Sequence, residues 1–126
     1  MKINKVVVIG SGTMGSGIAA QLCNANIPVT LLDLKTEISQ KAKERIEKSR
    51  PPLLIDKSKI NGINVGNITD DFDLVSEADW IVEAVVERID IKHNIYEKIF
   101  SKRKKGSIVS SNTCLLYTSD AADESS

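Results

Sequence analysis

The stretch from Lys5 to Asp33, KVVVIGSGTMGSGIAAQLCNANIPVTLLD, leaves few folds open. It begins with a continuous apolar run, Val6 to Ile9, of the kind that suits a strand buried on both faces. Gly10, Gly12 and Gly15 follow at G-x-G-x-x-G spacing. A small-residue helix is predicted from about Thr13 to Asn24, then a second apolar strand, Ile27 to Leu32, closed by Asp33. Each residue type has a mechanical reason. Gly10 permits the tight turn out of the strand, Gly12 lets a ligand come close to the backbone, and Gly15 lets the helix pack against the strand. The start of that helix offers N–H groups and a positive dipole end to an anion. Asp33 stands about 20 residues on, where a carboxylate accepts hydrogen bonds from ribose hydroxyls. The pattern is that of a dinucleotide-binding unit. The same carboxylate repels an extra 2′-phosphate, which favours NAD over NADP, and Lys35, two residues on, offsets a little of that repulsion.

With 126 residues, 41% of them hydrophobic and 27% charged, the chain is sized and composed as one globular domain. It can bury a real core but is near the usual minimum for a complete enzyme. Its 17 basic and 17 acidic residues balance, so no net field draws it to nucleic acid or a membrane. The apolar run in MKINKVVVIG is too short for a signal peptide, and no stretch reaches the length of a membrane span. Cys23 and Cys114 have neither metal-ligand nor disulfide-framework spacing. A reducing cytoplasm is the expected location, with Cys23 packed as a small hydrophobe at the first helix's buried face.

In the first helix Ile18 and Leu22, with Ala19 and Cys23 beside them, form the inward stripe. Asn26 and Pro28 bracket the turn into the second strand. A second amphipathic helix from about Thr36 carries Ile38, Ala42 and Ile46 inward and is ended by Pro51 and Pro52. Asn61-Gly62 and Gly66 mark turns; a short strand is expected near Asn67 to Thr69 and a turn or short helix around Asp71 to Ser76. Trp80 to Val86 reads as an apolar strand interrupted by Glu83, with Glu87 at its carboxyl end. A helix from about Asp90 to Arg103 places Ile91, Ile95 and Ile99 on one face, Gly106 closes it, and Ser107 to Ser110 is the next strand.

This alternation predicts an α/β fold, a Rossmann-type doubly wound parallel sheet with right-handed crossovers, incomplete at its C-terminal end. Ligands in such sheets sit beyond the carboxyl ends of the strands. That rule places Gly10 to Gly15, Asp33, Glu87 and Ser111 to Thr113 along one edge, with Ser111 and Asn112 on the nicotinamide side. His93, the one histidine, lies inside a charged helix and reads as a surface residue; Lys102 to Lys105 read as solvated charge at a helix C-terminus.

GSGTMGSGIA with Asp33, then ADWIVEAVVERIDIK, then GSIVSSNT together resemble the NAD-binding domain of 3-hydroxyacyl-CoA dehydrogenases of fatty-acid β-oxidation, over about Lys5 to Thr113. The KSRPPLL segment and the later strands are most similar to bacterial forms. The resemblance implies NAD as cofactor, with Gly10, Gly12, Thr13, Met14 and Gly15 at the pyrophosphate and Asp33 at the adenosine ribose. It implies that Glu87 and Lys92 touch the nicotinamide side, that Ser49 touches an acyl-CoA substrate, and that the full-length protein is a homodimer. In the family reaction a histidine takes the proton of the 3-hydroxyl while hydride passes from C3 to NAD. A glutamate orients that histidine, and a serine directly after the S-N-T run bonds the substrate oxygen. Cys114 stands at the serine position, and the histidine and glutamate have no counterpart, so no catalytic residue is assigned and the chain alone is expected to be inactive.

From Cys114 the chain reads CLLYTSDAADE, which resembles a translated transposon-end sequencing adapter. Residues 1–113 are accordingly read as a partial NAD-binding domain and 114–126 as a non-native, disordered tail. The competing function is a non-catalytic NAD-binding or redox-sensing module. Ending at the fifth strand leaves an exposed sheet edge, which argues against it.

Overall fold

The computed structural model describes residues 3–49, 53–84 and 89–111. Within them strands and helices alternate: β1 (Val6–Ile9), α1 (Thr13–Asn24), β2 (Val29–Asp33), α2 (Thr36–Lys48), β3 (Ile63–Asn67), β4 (Trp80–Glu83), α3 (Ile89–Lys102) and β5 (Ile108–Ser111). Two 3-10 turns, Lys57–Gly62 and Phe72–Glu77, precede β3 and β4. The strands form one parallel sheet in the order β3-β2-β1-β4-β5. The chain runs outward from β1 to β3, then returns to the other side of β1 for β4 and β5. The order therefore reverses between β1 and β4, where Ile9 lies level with Glu83 on one side and Leu32 on the other. A crevice opens there, beyond the carboxyl ends of both strands.

Side-chain alternation along β1 explains the layers. Val6 and Val8 pack with Ala19, Ala20 and Cys23 of α1 and with Ala42 and Ile46 of α2. Val7 and Ile9 point the opposite way, onto Phe72, Val75 and the Ile95 and Ile99 pair of α3. A strand flanked by helices on both faces has to be apolar throughout, and β1 is. Gly15, Ser16, Ala19 and Ala20 line the buried face of α1, so the helix lies close against the sheet. Cys23 is buried in that layer, and burial pushes its thiol up to about 11, which keeps it unreactive.

The observed elements depart from the expected ones in specific places. Asn26 takes a left-handed φ of 64° and delays the second strand to Val29, so that Asp33 is its last residue. The third strand is Ile63–Asn67, earlier than expected. Ile63 pairs with Val29, whereas the side chain of Asn67 accepts from the Thr69 and Asp70 N–H groups and turns the chain. Ile38 does not join the buried stripe of α2: it is 40% exposed, and Ser39 is buried in its place, its hydroxyl donating to the Gly66 carbonyl at 2.7 Å. On α1, Ile18 is only partly buried and Ala20 completes the inward face. Pro51, Pro52, Val85 and Val86 lie outside the described residues, as does the side chain of Ile91.

Asp79 ties the amino ends of three strands together. Its carboxylate accepts the N–H groups of Asn4 at 2.8 Å and Lys5 at 3.0 Å and pairs with the Lys104 ammonium, while its carbonyl accepts the Ile108 N–H at 2.9 Å. The Lys104 hydrogen bond, followed by those from Asn4 and Lys5, lowers its pKa from the ordinary 3.8 to about 2. A carboxylate depressed on folding contributes stability that is complete above its unfolded pKa and lost as pH falls toward the folded one. Asp79→Asn is expected to lower the melting temperature at neutral pH and to flatten the acid limb below about pH 5. An acid limb of unchanged slope in thermal melts would count against that role.

Candidate functional site

At the end of β1 the chain turns sharply through Gly10, whose φ of 105° is open to glycine and strained for other residues. Its N–H donates to the Leu32 carbonyl at 2.7 Å, which holds the turn beside β2. Helix α1 then runs so close to this turn that a Cβ on Gly15 would lie 1.8 Å from the Gly10 carbonyl oxygen. Gly15 is therefore required by the fold itself. Gly12 is different. It is the N-cap of α1 with φ −70° and ψ −165°, a conformation any residue adopts, and a Cβ there would meet nothing within 4 Å. No side chain caps α1, and its first turn carries no acidic residue. Its first N–H groups are therefore open to an anion, with clear space beside them at Gly12.

Asp33 is clasped to this turn. Its Oδ2 accepts the backbone N–H of Ser11 at 2.8 Å and the Ser11 hydroxyl at 2.5 Å, and its Oδ1 accepts the Leu34 N–H at 2.7 Å. Ser11 is buried, and its carbonyl accepts the Ser16 hydroxyl at 3.0 Å and Arg45 Nη2 at 2.9 Å. A cavity of about 230 Å³ opens beside these groups, bounded by Gly10 to Gly12, Asp33, Leu34, Ile38, Arg45, Ile68 and Ala84. Leu34 and Ile38 are 43% and 40% exposed, and they give the cavity an apolar wall next to a carboxylate and the glycine turn. This is the surface an adenosine diphosphate moiety requires, and the residues fit it.

The structure brings Gly10, Gly12, Thr13, Met14, Gly15 and Asp33 together at the carboxyl edge, with Thr13 and Met14 exposed on the first turn of α1. Ser49 lies one residue beyond α2, as its C-cap. Its hydroxyl donates to the Ile46 carbonyl and accepts the Leu53 N–H, so it caps the helix and shapes the following turn. Lys35 is the exposed N-cap residue of α2 and stays off the cavity wall, where the cation is Arg45 instead. Glu87, Asn112 and Cys114 lie outside the described residues; Lys92 falls within α3 but its side chain is likewise outside them. His93 is exposed on α3. Among the described residues no group of His, Cys, Asp or Glu converges as a metal site, and no helix is long and apolar enough to cross a membrane.

Sequence reasoning missed Ser11, Arg45 and Glu83. Glu83 ends β4 fully buried, accepting the Tyr96 hydroxyl at 3.2 Å and the Ser111 hydroxyl at 2.9 Å. It thereby fixes β5 and α3 at the carboxyl edge, across the crevice from Asp33. The signal was a charged residue within an apolar run, since a buried charge persists only where partners hold it.

The model of the 3-hydroxyacyl-CoA dehydrogenase NAD-binding domain matches residues 5–126. A Deinococcus radiodurans protein named "Probable 3-hydroxyacyl-CoA dehydrogenase" is 42% identical over 120 residues, which is 90% of this chain and 35% of that protein. The chain thus spans about a third of its relative's length. Mycobacterium tuberculosis FadB2 superposes with a TM-score of 0.78 at 25% identity, covering 90% of this chain and 42% of that one. The (S)-3-hydroxybutyryl-CoA dehydrogenase of Ralstonia eutropha gives 0.70 at 25% identity, covering 87% and 41%. With its glycine turn, its clasped aspartate and a match running over almost all of its length, this chain belongs to the family of 3-hydroxyacyl-CoA dehydrogenase NAD-binding domains.

Proposed function

We propose that this chain is the cofactor-binding part of an enzyme that oxidises 3-hydroxyacyl-CoA to 3-oxoacyl-CoA in fatty-acid β-oxidation. NAD is the cofactor of the family, and when bound it supplies the hydride acceptor. The observation that carries this reading is Gly12. Nothing in the described fold needs a glycine there, yet the position faces the open N-terminus of α1 beside Asp33 and the cavity. Thr13, Met14 and Gly15 would present N–H groups to the pyrophosphate, Asp33 would accept from the adenosine ribose, and Leu34, Ile38 and Ile68 would flank the adenine. Glu87, Lys92 and Asn112 are proposed for the nicotinamide side and Ser49 for acyl-CoA on the family resemblance alone.

The acyl-CoA substrate is supported by the name of the Ralstonia neighbour. The general base has no candidate among the described residues: the one histidine, His93, is exposed on α3. Catalysis would then depend on residues supplied by a longer protein, which we read as a cytoplasmic homodimer. We read residues 114–126 as foreign to that protein; the source genome, sequenced across codon 113, should continue with serine instead of Cys114.

Paired glycine variants test the cofactor reading. Gly12→Ala is expected to cost no more than about 1 kcal/mol of stability while weakening NAD binding at least about tenfold. Gly15→Ala should instead destabilise the fold itself by at least about 3 kcal/mol. Calorimetric titration with NAD alongside thermal melts separates the two, and equal NAD affinity for wild type and Gly12→Ala would refute the role given to Gly12. The 126-residue chain should bind NAD yet leave 3-hydroxybutyryl-CoA unoxidised; NADH formation in that assay would show that the chain holds its own general base.

A further inference from the structure

We infer that Arg45 is a cofactor-discriminating residue that receives a phosphate on the adenosine ribose, so that this domain also binds NADP, more weakly than NAD. The inference rests on the dinucleotide reading of the same cavity. Arg45 comes from α2, and its Nη2 donates to the Ser11 carbonyl at 2.9 Å. The N–H and hydroxyl of that same Ser11 donate to Asp33 Oδ2. One buried residue therefore holds a guanidinium on its carbonyl side and a carboxylate on its amide side, and both groups border the cavity.

The two charges are not spent on each other. No carboxylate pairs with Arg45 among the described residues, and one contact uses only one of the five N–H donors of a guanidinium. Asp33, by contrast, accepts three donors from Ser11 and Leu34. A carboxylate at this place selects for a free 2′-hydroxyl, whereas an arginine beside it accommodates a 2′-phosphate. The planar fork can meet such a phosphate with two parallel hydrogen bonds. Lys35, the nearer cation in sequence, does not border the cavity.

The test is calorimetric titration of wild type, Arg45→Gln and Arg45→Lys with NAD and with NADP, each variant's fold checked by its melting curve. Wild type should bind both, NAD more tightly. Arg45→Gln should lose about tenfold in NADP affinity and no more than about threefold in NAD affinity. Arg45→Lys, a point charge without the fork, should fall between. If Arg45→Gln weakens both dinucleotides by the same factor, Arg45 serves only to support the Ser11 carbonyl and the inference is overturned. Wild type that binds NAD but not NADP also overturns it. Wild type that binds neither dinucleotide removes the cofactor reading itself.

Discussion

The carboxyl edge of the sheet depends on one close approach, that of α1 to the carbonyl of Gly10. With no room for a Cβ at Gly15, the helix and the end of β1 lie as near as two backbones can. That contact sets the uncapped start of α1 beside the end of β1. It also draws the turn toward β2, where Leu32 accepts the Gly10 N–H and Asp33 accepts from Ser11.

The layers around that edge follow from a four-residue apolar strand with a helix-bearing layer on each face. Because every residue of β1 is buried, polar chemistry can enter only where the strands end. Glu83 is the limiting case. It ends β4 level with Ile9, fully buried, held by hydroxyls from α3 and β5. A carboxylate in that setting is costly without its partners, and one of them is the Ser111 hydroxyl at the end of β5.

Much of this was legible in the sequence, and the limits are physical. β1 and α1 could be bounded from the residues because an apolar run, three glycines and a small-residue face all constrain the same backbone. The third strand is expected late, near Asn67 to Thr69, because Asn61-Gly62 and Gly66 read as turns, whereas Gly66 lies inside β3 and the Asn67 side chain makes the turn. Ile38 is predicted at a core position by its spacing with Ala42 and Ile46. Its exposure makes sense once the cavity is known, since a face left open for a ligand has the same periodicity as one packed against protein. Arg45 could not be found from sequence, because a cation twelve residues past Asp33 reaches the turn only through the pitch and tilt of α2.

The aspartate at this edge is already occupied by donors of its own chain. Each carboxylate oxygen has two acceptor positions. Oδ2 fills both with the Ser11 N–H and hydroxyl, and Oδ1 fills one with the Leu34 N–H. On the proposed reading, a ribose offering two hydroxyls to Asp33 would find one position open and would have to take a second. The backbone N–H groups are fixed by the turn, whereas the Ser11 hydroxyl swings on a single side-chain bond. It is the group that yields. Ser11 thus keeps the carboxylate oriented and satisfied, and under the proposed reading its release would make cofactor entry an exchange of hydrogen bonds.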